Sequence, residues 1–338
     1  MKGTFAKTTS AVTAILSVLT MIICAVSVPL KIDSTALYKK TLSEIEIYEN
    51  TQETAIPQTA IYYLISDHFA NENGKEKKAI IIGYDGARAE CINSVSEDGA
   101  VNYMKNSGAH AYIGYCGGVN YPAINTQKTS TAPGWCSIIT GKWGSVTGVT
   151  DNSMPKSNDN LTLLTTLVES GVVSETQFNT SWSGHFSGDD STYINEKKYC
   201  EDNGLSVGFN KYDEDEDVVA ATIANVKKEN CSDFIFSILE ATDHAGHSTG
   251  FSSFNKLYTD GFELEDKYAK EIIDAIEDRP TYENEDWLII ITSDHGGRFT
   301  MHGFASIQER MTVIITNKDF TDEQISAGVG SSSLGDIC

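Results

Sequence analysis

Three apolar runs dominate the hydrophobic pattern of this chain, and each leads into an acidic residue. Residues 79–84 run into Asp85, Phe234–Leu239 lead to Asp243, and residues 287–293 end at Asp294. Runs of this length, rich in Ile and bounded by Gly and Asp, predict strands buried on both faces. In open parallel sheets ligands gather at the carboxyl ends of the strands, so the three carboxylates are expected on one rim. Unpaired they would repel one another, and a cation between them is expected.

The pattern between these strands alternates. Helices are predicted over 95–106, 133–140, 160–170, 216–228 and 254–278, and strands over 109–115, 172–180 and Met311–Thr316. Leu161, Leu164 and Val168 share a face, with Gly171 as a stop; Leu264, Tyr268, Ile272 and Ile276 form a stripe. Strands alternating with helices predict a layered α/β domain, a three-layer sandwich around a largely parallel central sheet. Clear order begins at Lys77, so 77–338 is read as the domain and the weakly patterned 31–76 as an N-terminal extension. The tail stops without a closing helix, as a truncated fragment would. The acidic run 213–217 lacks the glycine-bearing pattern of an EF-hand and reads as a solvated helix start.

Composition narrows the function. The 338 residues are 40% hydrophobic and 21% charged, enough for a globular core. Lys and Arg total 25 against 47 Asp and Glu, a formal net charge of −22. That excludes a nucleic-acid backbone surface, and an anionic substrate would need local cations. Residues 1–30 read as a signal peptide or membrane anchor: Lys2 and Lys7 precede an uncharged stretch over 11–30, within which Ala25 and Ser27 offer small residues at the spacing a signal peptidase prefers. The rest is therefore expected to be secreted or held on the extracytoplasmic face, touching a membrane only through 11–30 if uncleaved. Seven cysteines are present; the six outside the leader permit disulfides but show no zinc-ribbon spacing.

Four of the seven histidines follow two of the acidic strand ends. They lie in Asp243-His244-Ala245-Gly246-His247, in Asp294-His295-Gly296-Gly297 and in His302-Gly303. Imidazole with carboxylate suits zinc or a similar divalent ion. His244 reads as flanking the site. Ser130-Thr131-Ala132-Pro133-Gly134-Trp135 supplies a nucleophile candidate: Pro133 fits the first turn of a helix, which puts the Thr131 hydroxyl where free amides and the helix dipole favour an anion.

These segments resemble the alkaline phosphatase superfamily, nearest to the type I phosphodiesterase and nucleotide pyrophosphatase family. The resemblance runs from about Ala79 to Thr316. It rests on Gly83-Tyr84-Asp85-Gly86, Thr131-Ala132-Pro133 leading to Ser137-Ile138-Ile139-Thr140-Gly141, Gly148-Val149-Thr150-Asp151-Asn152-Ser153-Met154, and the two Asp-His motifs. It implies an alkaline phosphatase-like fold and two divalent ions, Zn2+ first among candidates. Asp85, Asp294 and His295 would hold one, with Thr131 as its reactive ligand; Asp243, His247 and His302 would hold the other. Asn152 would match the family asparagine that contacts a phosphoryl oxygen. The implied activity is hydrolysis of phosphodiester or pyrophosphate bonds in a small phosphorylated substrate, through a phosphothreonine on Thr131. The chain departs from the family at 134–136, where Gly-Trp-Cys replaces the usual Asn-His-Tyr.

Two alternatives remain at this stage. A phosphomonoesterase or phosphonate hydrolase would use the same ligands with an added cation, for which Lys128, Lys142 and Arg298 are near in sequence. A non-catalytic exported protein could keep zinc for stability. A sulfatase is disfavoured because no Cys or Ser is followed by x-Pro-x-Arg, and a dinucleotide oxidoreductase because no Gly-x-Gly-x-x-Gly follows the first strand.

Overall fold

The computed structural model describes residues 55–93, 95–117 and 126–329. The expected leader, the extension as far as residue 54 and the tail beyond 329 lie outside the described residues. The strands are β1 Ile56–Pro57, β2 Glu76–Tyr84, β3 His110–Tyr115, β4 Thr176–Thr180, β5 Val207–Lys211, β6 Phe234–Leu239, β7 Glu285–Thr292 and β8 Met311–Thr316. They form one sheet in the order β1-β3-β8-β7-β2-β6-β4-β5. Only β8 runs antiparallel to its neighbours, β3 and β7.

The sheet is a largely parallel one covered on both faces, which is why β2 reads as an unbroken apolar run. Ala79 and Ile81 join a cluster with Ile61, Leu64 and Ile65 of α1 (Ala60–Ala70) and with Ile138 and Ile139 of α3 (Thr131–Thr140). Leu163, Leu164 and Leu167 of α5 (Leu163–Glu169) complete it. From the opposite face Tyr84 meets Phe262 edge-on, ring centroids 5.3 Å apart, on the long helix α9 (Lys256–Glu277). The same helical layer contains α2 (Ala100–Asn106) and α7 (Asp215–Val226). No helix among the described residues is long and apolar enough to cross a membrane.

Order begins before Lys77. Ile56 and the apolar residues of α1 already belong to the core. β1 is two residues long and carries no pattern, but in α1 Ile61, Leu64, Ile65 and Phe69 recur at helical spacing, a signal passed over in reading 31–76 as weakly patterned. The stripe expected on α9 is also turned: Leu264 is exposed, while Phe262, Glu265, Asp266, Ala269, Ile272 and Ile276 face inward. The two buried acids are anchored, Glu265 by the Thr242 amide at 2.9 Å and Asp266 by the Val101 amide at 2.8 Å. Cys91, Cys116, Cys136, Cys200 and Cys231 are all buried free thiols, and burial pushes Cys136 up to about 11.

A buried ion pair ties α9 to the start of β7. Arg279 forks onto Glu285, with Nη2 to Oε1 at 2.7 Å and Nε to Oε2 at 2.9 Å, and Thr281 and Trp287 donate to the same carboxylate. Burial opposes ionisation of Glu285, but these bonds outweigh it and hold the carboxyl down at about 2. Glu285→Gln should cost about 3–5 kcal/mol in urea unfolding at neutral pH, because it leaves the guanidinium buried and unpaired. A folded pKa below the unfolded value, about 4.3, stabilises fully above that value and less as pH falls through about 2. Wild type should lose this part of its stability over that acid window, and the variant should lack it.

Candidate metal centre

The order β7-β2-β6 sets three acidic strand ends side by side. Gly83 is level with Thr292 of β7 and Tyr84 with Leu239 of β6, so the next residues of the three chains reach the same rim. Asp85 follows β2 directly, and Asp294 and His295 follow β7. Asp243 and His247 sit beyond β6 on α8 (Ala241–Thr249), one turn apart on one face. Two carboxylates hold the start of that helix. Asp215 accepts the Glu240 and Ala241 amides at 2.9 and 3.0 Å, and Glu265 accepts that of Thr242. The acidic run at 213–217 is thus not simply solvated, since Asp215 turns inward to cap α8. His244, on the outer side of α8, is exposed.

The side chains converge. His295 Nε2 lies 3.4 Å from Asp85 Oδ1 and 3.3 Å from Asp294 Oδ2. His247 Nε2 lies 3.3 Å from Asp243 Oδ2 and 3.0 Å from His302 Nε2, and His302 Nε2 is 3.7 Å from Asp243 Oδ1. The His295 and His302 rings stack at 4.0 Å. Every predicted acid and imidazole except the flanking His244 therefore enters one cluster. Ligand atoms of Asp85, Asp294 and His295 form one group with mutual separations within 4.8 Å, and those of Asp243, His295 and His302 form another.

Each ring is aimed by a backbone carbonyl. Nδ1 of His295, His302 and His247 faces the carbonyls of Gly296, Thr129 and Thr300 at 2.7, 3.0 and 3.0 Å. A carbonyl only accepts, so Nδ1 carries the proton; Nε2 of His295 and His302 turns inward as a lone pair, while Nε2 of His247 donates to Asp243. Asp85 Oδ1, Asp243 Oδ1, Asp294 Oδ2 and His295 Nε2 are buried without a hydrogen-bond partner. Burial, then the neighbouring charge of Asp243, raises the Asp85 carboxyl well above its usual range, and burial, then Asp85, does the same to Asp294. Burial pushes His295 down to about 3, while its bond to Asp243 lifts His247 to about 9. Orphaned oxygen and imidazole lone pairs around one point are the donor set a divalent cation satisfies, so the residues fit such an ion.

Thr131 opens α3 beside this cluster. It is buried, and Ser130 precedes it in extended conformation without a capping bond, the Ser130 hydroxyl buried and unpartnered among the described residues. A Cβ placed on Gly134, one turn on, would come 2.7 Å from Asp294 Cβ, so the helix start rests on a cluster residue. Asn152 Oδ1 accepts the Ala132 amide at 3.0 Å, which fixes the flip of the side-chain amide and leaves its nitrogen as the outward donor.

Three contributors escaped the sequence reading. Trp135 Nε1 donates to Asp85 Oδ2 at 2.9 Å. Thr129 accepts from His302 through its carbonyl and from the Gly303 amide through its hydroxyl at 2.9 Å, tying the His302 loop to the start of α3. Glu240 forms a third close carboxylate group with Asp85 and Asp243. Only Glu240, an acid next to a buried strand end, carried a signal that pattern could have caught.

Sheet and cluster together define a largely parallel α/β protein with a candidate metal centre at the carboxyl ends of its central strands. The sequence profile of the type I phosphodiesterase / nucleotide pyrophosphatase family matches residues 79–309, and the chain belongs to that family. It is 34% identical over 121 residues to a phosphopentomutase of Mycoplasmopsis pulmonis, covering 35% of this chain and 27% of that protein. Among solved structures it is similar to murine ectonucleotide pyrophosphatase / phosphodiesterase 5, with TM-score 0.45 and 19% identity over 65% of this chain and 57% of that one. It is also similar to the C-terminal periplasmic domain of a phosphoethanolamine transferase from Campylobacter jejuni, with TM-score 0.47 and 12% identity over 72% and 80% of the two chains. The chain thus spans about a quarter of the curated relative and little over half of the murine one.

Gly83 makes the Trp135 contact sterically feasible, since a Cβ there would lie 2.4 Å from the indole ring. Gly83→Ala should therefore destabilise the fold by about 1–3 kcal/mol in denaturant titration, as overpacking of a tight core does. Wild-type stability in that variant would mean that the ring does not rest on β2.

Proposed function

We propose that this chain is an exported, metal-dependent phosphodiesterase that turns over a small phosphorylated substrate through a phosphothreonine on Thr131. The observation that carries the reading is the set of buried, unpartnered lone pairs of Asp85, Asp243, Asp294 and His295. Family membership supports phosphoester hydrolysis as the reaction class. Asp85, Asp294 and His295 would hold one divalent ion and Asp243, His247 and His302 the other. When bound, such ions polarise a phosphoryl oxygen and lower the pKa of a coordinated hydroxyl.

The chain's own groups supply the rest. The Thr131 hydroxyl gives its proton to solvent as its oxygen attacks phosphorus in line; the bond to the leaving oxygen breaks on the far side, and that oxygen takes up a proton as it departs. Water then attacks the phosphothreonine, releases the phosphorylated product and returns the proton to Thr131. The Asn152 nitrogen and the Thr131 amide face the charge that builds on the phosphoryl oxygens, since the Ala132 amide is held by Asn152 and Pro133 has none. Two of the basic residues a monoesterase would need are engaged: Lys142 donates to Asn160 at 2.9 Å and Lys128 pairs with Asp151 at 3.7 Å. That supports a diester, whose phosphate carries one charge fewer. Export rests on the basic, then apolar, character of residues 1–30.

Purified protein should hydrolyse bis-p-nitrophenyl phosphate faster than p-nitrophenyl phosphate, lose activity to a chelator and regain it with Zn2+. Thr131→Ala should lower turnover by about a thousandfold or more at unchanged metal content. Full activity in that variant, or indifference to the chelator, would sink the reading. Trp135→Phe keeps a ring on β2 but removes the donor to Asp85, so metal affinity should fall about 10–100-fold in competition with a chromophoric chelator.

A further inference from the structure

We propose that Phe251 is a positioning residue for one half of the cluster: it sets the His247 and His302 imidazoles and leaves the half built on Asp85, Asp294 and His295 to other supports. The inference rests on the two-ion reading above. Phe251 lies two residues past α8 and is 2% exposed. Its ring stands nearly perpendicular to both imidazoles, at 84° and 5.3 Å between centroids for His247 and at 83° and 6.0 Å for His302. Two glycines beside ligand candidates make room for it. A Cβ on Gly246, adjacent to His247, would come 2.4 Å from the ring, and one on Gly297, two residues after His295, would come 2.2 Å from it. The ring is thus wedged between α8 and the segment after β7.

The backbone of Phe251 reaches the same two imidazoles by a second route. Its amide donates to the Phe299 carbonyl at 2.6 Å, and its carbonyl accepts from Arg88 Nη1 at 2.8 Å. Phe299 has a φ of 56°, a left-handed conformation that a bulky residue rarely adopts, and Arg298 and Met301 pair across it in a tight turn. That turn carries the Thr300 carbonyl that faces His247, and it runs directly into His302. The anchored Phe251 therefore holds the turn, the turn aims His247 and places His302, and the ring packs on both imidazoles from the side. His295 has supports of its own: its Nδ1 bonds the Gly296 carbonyl, and the Gly296 amide donates to the Glu309 carbonyl at 2.9 Å.

The test measures Zn2+ binding by competition with a chromophoric chelator, with urea unfolding of the metal-free protein in parallel. Wild type should bind two Zn2+. Phe251→Leu keeps an apolar side chain but removes the ring that both imidazoles meet. One of its two ions should be held about 10–100-fold more weakly and the other as in wild type. In a His302→Ala background, where that half is already broken, adding Phe251→Leu should leave the remaining Zn2+ unchanged. Unchanged affinity for both ions overturns the proposal. So does an equal loss at both with a lower unfolding midpoint, which is general loosening of the fold, and so does a further loss in the His302→Ala background. Wild type that binds fewer than two Zn2+ overturns the two-ion reading, and this proposal with it. If Phe251→Leu does not fold, Phe251→Met fills the space with a flexible chain, removes the ring and reports through the same titration.

Discussion

Like charges packed at one end of three adjacent strands set the terms for the rest of this structure. Asp85 lies between Asp294 and Asp243 and all three are buried; burial and the charge of Asp243 drive Asp85 toward the protonated state, and burial and the charge of Asp85 do the same to Asp294. Two carboxylates this close do not both ionise unaided. The imidazoles do not supply the missing charge: His295 is pushed down to about 3, and only His247, toward the solvent side, is lifted to about 9. The neighbouring elements point donors and carbonyls at the outer atoms of the cluster and leave the inner lone pairs free. That is the polarity of a cation cage, not of a charge-neutral hydrogen-bonded core.

The same logic explains the scaffold around it. Asp215 and Glu265 cap α8 with carboxylates on its first amides, which fixes the helix that carries Asp243 and His247. Both acids accept backbone amides at the start of α8, so their oxygens are satisfied where they sit. Thr129 does comparable work on the other side, joining the His302 loop to the residue pair before Thr131. The nucleophile candidate and the last imidazole are thereby fixed to a common anchor, although 171 residues of chain separate Thr131 from His302.

Legibility in the sequence followed burial. Strands covered on both faces announce themselves as Ile-rich runs, so β2, β6, β7 and β8 were readable, and with them the parallel sheet and the acids at its rim. Motif residues were readable because acid and imidazole at short spacing are rare outside metal sites. What stayed hidden was tertiary in origin. The inward face of α9 includes Glu265 and Asp266, acids whose partners lie more than twenty residues away in α8 and far earlier at Val101. α8 is absent from the predicted helices, because its caps come from other helices and not from its own sequence. β1 is too short to carry a pattern, whereas the helical spacing of α1 was present in the sequence.

Trp135 shows how a departure from the family pattern can be physically coherent. An indole nitrogen donates and never accepts, whereas an imidazole does either. With Trp135 Nε1 on Asp85 Oδ2 and no other side-chain bond to that carboxylate, Oδ2 is committed and Oδ1 alone faces inward. Asp85 is thus restricted to one coordinating oxygen, fixed in direction by a ring too large to reorient. The ring lies over Gly83 and meets Phe236 at 5.5 Å, so a side chain at position 83 and a large residue at 135 exclude one another. Glycine at 83, indole at 135 and the orientation of Asp85 form one unit. The small residue at 134 belongs to it as well, because it brings α3 against Asp294 while the indole reaches Asp85. One turn of helix therefore sets the positions of two of the three aspartates and of the hydroxyl that precedes them.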